Sequence, residues 1–326
     1  MRILVTGCAG LIGSHLVDNC ILSGNEVVGI DNLSYGSKKN LSKALKNKNF
    51  FFIKGDVKRI KEVLSNEKKF DLVYHLASYK KPIENAVKSS KVIEENVLMT
   101  IEVVKYCLQN KSFLIFTSTS DVYGNSQKFK EEEKIEIGPP TNERYSYAMS
   151  KLISEQYIFN EITQSNLKAS IVRVFGCASE RSKPSWSAGH VPLFVFNALK
   201  NIDINIHGDG LQTRSISSAT DISLGLFKML KEINNVKSQI INLGTDQQTT
   251  VKEVAEYIIN KTNSKSKINF IPRKEAFGDY DEIMIRFANL EKAKKLLNYK
   301  INYKTMEVID NIISEFNNPD SEFHIN

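Results

Sequence analysis

The chain has 326 residues, 44 lysines and arginines against 37 aspartates and glutamates, a formal charge of +7 and a hydrophobic fraction of 41%. That length suits one large domain with a lobe or two domains, and the composition is that of a soluble globular protein, expected in the cytoplasm. The basic residues are scattered among asparagines, as in residues 43–49 and 260–267, without aromatic interleaving, so nucleic acid is excluded and small anions stay open as partners.

The first segment, Arg2-Ile-Leu-Val-Thr6, predicts a short buried strand. It runs into Gly7, Gly10 and Gly13, after which Leu16, Val17, Ile21 and Leu22 continue at helical spacing. A strand ending in a glycine-rich turn that opens a helix is the architecture of a phosphate-binding loop, because glycine lets the backbone approach a pyrophosphate and the helix start offers free N–H groups. Gly7, Gly10, Leu11, Ile12 and Gly13 are the candidates. A second strand at residues 26–30 ends in Asp31-Asn32. An acid roughly 20 residues past the glycines accepts from an adenosine ribose hydroxyl and repels a 2′-phosphate, which favours NAD over NADP. Further strands are predicted at residues 50–54, 71–75, 113–118 and 168–174, with helices at about 56–65, 89–110 and 142–165 between them. Alternating βα units of this length predict a Rossmann-like, doubly wound parallel sheet, with ligands beyond the C-terminal strand ends.

Residues 1–175 are assigned to this NAD-binding domain. Residues 176–326 are assigned mainly to a smaller α/β substrate lobe, with helices near 190–200, 220–233, 250–260, 290–297 and 305–316 and strands near 204–207, 240–243 and 267–271. Cys8, Cys20, Cys107 and Cys177 have neither metal-ligand nor disulfide spacing, so no metal site is expected. The glycines interrupt the first apolar run and nowhere do eighteen apolar residues follow one another, so neither a secretory leader nor a membrane span is expected.

Three Tyr-x-x-x-Lys pairs occur: Tyr35 and Lys39, Tyr147 and Lys151, Tyr257 and Lys261. Positions i and i+4 share one helix face, and an ammonium beside a phenol lowers the phenol's pKa toward that of a usable base. Only the middle pair follows a strand end of the sheet, so position selects Tyr147 and Lys151.

Taken together, Thr6-Gly7, Gly10, Gly13, Asp31-Asn32, Gly55-Asp56-Val57, His75-Leu76-Ala77-Ser78, Asn96, Thr117-Ser118-Thr119, Val122-Tyr123-Gly124 and Tyr147 with Lys151 resemble the extended short-chain dehydrogenase/reductases. Within these the chain is similar to the NAD-dependent sugar-nucleotide epimerase/dehydratase group. The likeness continues through Gly208-Asp209-Gly210, Gln212-Thr213-Arg214, Asn242-Leu243-Gly244 and Gly278-Asp279. The resemblance implies Thr119, Tyr147 and Lys151 as a catalytic triad, with Asn96 as structural or relay partner. It implies that Gly7, Gly10, Leu11, Ile12, Gly13, Asp31, Asn32, Asp56, Val57, Leu76, Ala77, Ser78, Lys80, Asn96, Thr117, Tyr147, Lys151 and Phe175 hold the cofactor. For substrate it implies Lys80, Thr119, Asp121, Gly176, Arg181, Gln212, Arg214 and Arg286, the last two as candidates for the pyrophosphate of a nucleotide sugar. A homodimer is expected, with Val92, Val103, Val104 and Ile153 available for an apolar seam.

The reaction rests on Ser120-Asp121. A 4,6-dehydratase resembling the dTDP-glucose enzyme carries Asp-Glu there, so dehydration is disfavoured. UDP-glucuronate decarboxylases resemble Ser118-Thr119-Ser120 followed by Glu, one methylene longer than Asp121. Lys80 and residues 208–214 and 277–280 look instead like 4-epimerases resembling the UDP-galactose enzyme, and 4-epimerisation of a UDP-sugar is the leading expectation. Decarboxylation, dehydration, and a non-catalytic NAD-binding sensor or scaffold are the alternatives. Gly176, where the family has Asn, and Ala178-Ser179-Glu180-Arg181, where it has Tyr-Gly-Pro-Arg, depart from the pattern.

Overall fold

A fully parallel sheet carries the molecule, and its inner strands are apolar almost throughout because helices cover both faces. The computed structural model describes residues 1–79, 89–126, 128–185, 189–277, 283–321 and 324. The strands are β1 (Arg2–Thr6), β2 (Glu26–Asp31), β3 (Phe50–Lys54), β4 (Leu72–His75), β5 (Phe113–Thr119), β6 (Ala169–Val174) and β7 (Ile240–Leu243). Their spatial order is β7-β6-β5-β4-β1-β2-β3. The order reverses between β1 and β4, which pair from Ile3 opposite Leu72 to Thr6 opposite His75. A crevice opens beyond the strand ends at such a reversal. The first six strands match the sequence expectation to within a residue or two at each end. β7 was grouped with the second half, yet it pairs with β6 from Ile240 opposite Ile171 to Leu243 opposite Val174 and extends the large sheet.

One face of the sheet is covered by α1 (Leu11–Leu22), the other by α2 (Ser89–Asn110) and α3 (Ser146–Gln164). In α2 the buried residues Val92, Asn96, Met99, Val103, Val104 and Cys107 recur at three- and four-residue steps, an amphipathic stripe turned inward. Val92, Val103 and Val104 therefore belong to the core of this chain and are unavailable for a seam between copies. Ile153 is exposed, as is Leu98. The face α3 buries is small and polar, with Ser150, Ser154 and Glu155. It meets α2 through hydrogen bonds: Asn96 Nδ2 donates to Ser150 Oγ at 3.1 Å, and the hydroxyls of Thr100 and Ser154 are 3.1 Å apart.

Beyond Phe175 the chain builds α4 (His190–Leu199), α5 (Ala219–Lys231), α6 (Val251–Lys261) and α7 (Thr305–Asn317). α5 starts on the hydroxyl of Ser218, which accepts from Thr220 N at 3.1 Å, and returns to the sheet, where Leu226 O accepts from buried Tyr74 Oη at 2.9 Å. α4, α6 and α7 enclose a separate cluster with Phe194, Val254, Ile309 and Phe316. Three small sheets complete this half: Ile204–His207 with Ile268–Ile271, Cys177–Ala178 with Ser217–Ser218, and Thr213–Arg214 between Thr249–Thr250 and Ile285–Arg286. No helix among the described residues is long and apolar enough to cross a membrane.

Candidate active site

β1 ends at Gly7, whose φ of 69° lies in the left-handed region; a Cβ there would meet Ala77 N at 2.7 Å. At Gly13 a Cβ would fall 2.2 Å from Gly7 O, so only glycine lets α1 pack on the loop before it. Gly10 caps α1 without a side-chain hydrogen bond, and the first turn carries no acid. The first-turn N–H groups are thus left for an anion, and the loop fits a dinucleotide's pyrophosphate. Asp31, buried at the end of β2, accepts from Ala9 N at 3.0 Å and Leu33 N at 2.8 Å, which ties the loop to the next strand.

A cavity of about 430 Å³ runs from this loop to the helix carrying Tyr147. It brings together Gly7, Gly10, Leu11, Ile12, Gly13, Leu76, Ser78, Thr117, Tyr147, Lys151 and Phe175 from the expected cofactor set. From the expected substrate set it brings in Thr119, Asp121, Gly176, Arg181, Arg214 and Arg286. Asp31, Asn32, Asp56, Val57, Ala77 and Asn96 are not among the residues lining the cavity. Val57 is core, Asp56 Oδ1 accepts from Lys58 N at 2.9 Å, and Asn32 Oδ1 accepts from Ser34 N at 2.9 Å. Gln212 is not among the residues lining the cavity: it is buried, and its Nε2 donates to His207 O at 3.1 Å before strand Thr213–Arg214. Lys80 and the Gly278-Asp279 motif lie outside the described residues.

At the catalytic end Ser78 Oγ lies 3.5 Å from Tyr147 Oη and donates to Asn96 Oδ1 at 3.1 Å. Asn96 also accepts from Tyr79 N at 2.7 Å, so it positions Ser78 from behind. Lys151 Nζ donates to Thr117 O at 2.9 Å and sits 4.7 Å from the centre of the Phe116 ring. Burial pushes the Tyr147 phenol up to about 12 and pulls the Lys151 ammonium down to about 7, with Glu155 opposing the latter shift. The expected lowering of the tyrosine is therefore reversed, because desolvation disfavours both charged forms. Glu155 is held by Arg173 in a buried pair, Nη2 to Oε2 at 2.7 Å and Nε to Oε1 at 3.1 Å.

Beside Thr119, Arg286 Nη1 bonds Asp121 Oδ1, and elsewhere in the cavity lining Arg214 Nη1 donates to Thr213 O at 2.7 Å and Ile283 O at 2.8 Å. At Gly176 a Cβ would stand 2.3 Å from Ser215 O. Sequence reasoning missed Tyr35, Gly36, Asn40, Cys177, Ser182, Lys183 and Ser215, which also line the cavity. Asn40 had a local signal, since it follows β2 in the loop that folds on the glycine turn and donates to Ala9 O at 3.0 Å. The others depend on tertiary approach and leave no local pattern. Among the described residues no group of three histidines, cysteines or acids could hold a metal.

A Rossmann sheet, a glycine loop and a Thr-Tyr-Lys set lining one cavity at the strand ends mark a dinucleotide-binding enzyme fold. Residues 3–244 match the model of the NAD dependent epimerase/dehydratase family. Over 303 residues the chain is 32% identical to a UDP-N-acetyl-alpha-D-glucosaminuronate decarboxylase of Bacillus cytotoxicus, covering 92% of this chain and 93% of that one. It is 30% identical to UDP-glucuronic acid decarboxylase 1 of Danio rerio, over 92% of this chain and 68% of that one. Among solved structures it is similar to the UDP-glucuronic acid 4-epimerase of Bacillus cereus in complex with UDP-glucuronic acid and NAD, with a TM-score of 0.85, 25% identity and coverage of 96% and 98%. The chain belongs to the NAD-dependent epimerase/dehydratase family. It is an enzyme of the epimerase and decarboxylase branch, and NAD is its cofactor.

Proposed function

We propose that the chain oxidises C4 of a UDP-linked hexuronate and that the resulting ketone loses its carboxylate as CO2. The observation that carries this reading is Arg286, whose guanidinium reaches the sugar-facing wall beside Thr119 and bonds Asp121 there. A neutral sugar needs no cation at that end, whereas a uronate carboxylate is recognised by a guanidinium. Support also comes from relatives, since the decarboxylases of Bacillus cytotoxicus and Danio rerio and the 4-epimerase of Bacillus cereus all carry a UDP-uronate in their names.

Tyr147 takes the C4 hydroxyl proton at its phenolic oxygen, and Thr119 hydrogen-bonds the same sugar oxygen. NAD, when bound, supplies the hydride acceptor and a positively charged ring. Ser78, by its hydrogen bond to the phenol, opposes the effect of burial, and Lys151, anchored on Thr117 O, lines the same cavity. The 4-ketone lies β to the C5 carboxylate. The C5–C6 bond breaks, its electron pair moves to the C4 oxygen as an enolate, and C5 takes a proton before C4 is reduced again. Loss of CO2 is the ordinary fate of a β-keto acid, and an enzyme that keeps the carboxylate must restrain it.

The second reading is 4-epimerisation, the leading expectation from sequence. It needs only Thr119, Tyr147 and Lys151 and a ketone that turns over in the cavity, and the Bacillus cereus likeness favours it. Asp121 is tied to Arg286 and Ser120 is no acid, so the leaving-group chemistry of a dehydratase lacks its residues. Incubation with UDP-glucuronate, UDP-N-acetylglucosaminuronate and UDP-glucose, followed by NMR, tests the proposal. A UDP-pentose supports decarboxylation, a 4-epimeric uronate replaces it with the second reading, and conversion of UDP-glucose alone removes the uronate. No turnover of any of them, with NAD bound, would leave a sensor or scaffold. We further propose a homodimer through the exposed side of α2 and α3.

A further inference from the structure

Arg181, expected at the substrate, lines the cavity with its side chain held against α1. The loop after β6 runs back across the first half of the chain, and at Arg181 its φ is 70°. The guanidinium lies on α1, where Nη2 donates to Asp18 Oδ2 at 2.7 Å. Asp18 is two turns beyond Leu11 and on the same helix face. Nη1 of Arg181 is buried and has no hydrogen-bond partner among the described residues. Gly10, Leu11 and Gly13, at the start of the helix that carries Asp18, line the same cavity as Arg181. Arg286 also keeps a buried nitrogen, Nε, without a partner, but its guanidinium is bonded to Asp121 at the sugar-facing end. Arg214 is spent on two backbone carbonyls. Of the three arginines in the cavity, Arg181 is thus the one fixed against the helix that the glycine loop opens.

We propose that Arg181 binds the pyrophosphate of NAD from across the glycine loop, with Asp18 as its positioning residue. A buried guanidinium N–H without an acceptor is costly, and a phosphate oxygen satisfies it with a charge-assisted bond. The glycine loop contributes backbone N–H groups and the helix start but no formal charge. Arg181, paired with Asp18, adds a guanidinium N–H there, and it comes from the chain beyond β6. The cofactor is thereby gripped by both halves of the molecule, which suits a reaction that oxidises and then re-reduces the same sugar.

Calorimetric titration of NAD-free protein with NAD, ADP-ribose, adenosine and UDP tests this. Arg181→Ala is expected to weaken NAD and ADP-ribose by about tenfold to a hundredfold, the range of one hydrogen bond to a charged group, and to leave adenosine and UDP unchanged. Arg181→Lys, which keeps the charge without the fork, is expected to recover part of the loss, and Asp18→Asn to show a smaller loss of the same pattern. Unchanged NAD affinity overturns the proposal. So does a loss confined to UDP, which returns Arg181 to the substrate, or an equal loss for all four ligands, which makes its role structural.

Discussion

Lys151 offers a test that needs no substrate. Burial pulls its ammonium down to about 7, whereas a lysine in the unfolded chain titrates near ~10.4. Between those values the unfolded chain binds a proton that the folded chain does not, so stability rises with pH across the window. Below it both states are protonated and the cost of burying the charge is constant. Other groups bound the useful range. His75 and His190, pulled down by burial to about 3 and about 4, add a rise that ends near their unfolded value of ~6.5. The buried thiols of Cys20 and Cys177, pushed up to about 12, oppose folding once unfolded thiols ionise near ~8.5. From pH ~7 to ~8.5 Lys151 alone is expected to add roughly 1.5–2 kcal/mol, at about 1.4 kcal/mol per pH unit above its folded pKa. At roughly 2 °C per kcal/mol for a chain of this size, that is a rise in Tm of about 3–4 °C. Thermal unfolding of NAD-free protein against Lys151→Met, which has no ammonium to bury, isolates the effect. Parallel Tm curves for the two proteins would show that Lys151 keeps its proton in the folded state.

Tyr147→Phe is expected to lose about 10²- to 10⁴-fold in turnover while NAD affinity, read by calorimetry, stays near wild type; retained activity would remove Tyr147 as the base. Gly176→Ala is expected to cost about 1–3 kcal/mol, because its Cβ would press on Ser215 O and disturb the Ser217 N to Gly176 O bond of 2.8 Å. A lower melting temperature is the readout, and an unchanged one means the loop yields. Ile153→Glu is expected to shift the solution mass from dimer to monomer; a wild type already monomeric by light scattering would refute the pairing.

Most of the first half was legible in the sequence because its signals are local. β1, the glycines and Asp31 stand in register within 30 residues, and a buried parallel strand reads as an apolar run. α3 was legible in extent but not in burial, since the face it hides is built of serines and a glutamate that pair across to α2 and Arg173. β7 could not be placed, because a four-residue apolar strand carries no record of which sheet it joins. The Tyr147 and Lys151 pair was found by spacing, yet the direction of the tyrosine shift was missed: sequence shows the neighbouring charge and not the depth of burial. Arg181 and Gln212 were both placed by motif, and the sequence did not show the tertiary contacts that hold them, to Asp18 and to His207 O.

The two departures from the family pattern turn out to be different in kind. At Gly176 the carbonyl of Ser215 occupies the space that an asparagine would need, and the neighbouring Cys177–Ala178 strand is paired with Ser217–Ser218. Restoring asparagine there would disturb that pairing before any new contact with substrate formed. This stretch of wall is backbone, which accepts hydrogen bonds at Ser215 O and has no amide side chain to offer a phosphate. Recognition of the substrate's charge therefore falls to side chains nearby, and at the sugar-facing end that means Asp121 with Arg286. The pair is neutral as it stands. On the hexuronate reading, an incoming carboxylate competes with Asp121 for the guanidinium, whereas a neutral hexose leaves the pair intact. On that reading the charge is met at Asp121 and Arg286, directly beside Thr119, whose Oγ1 accepts from Asp121 N at 3.2 Å.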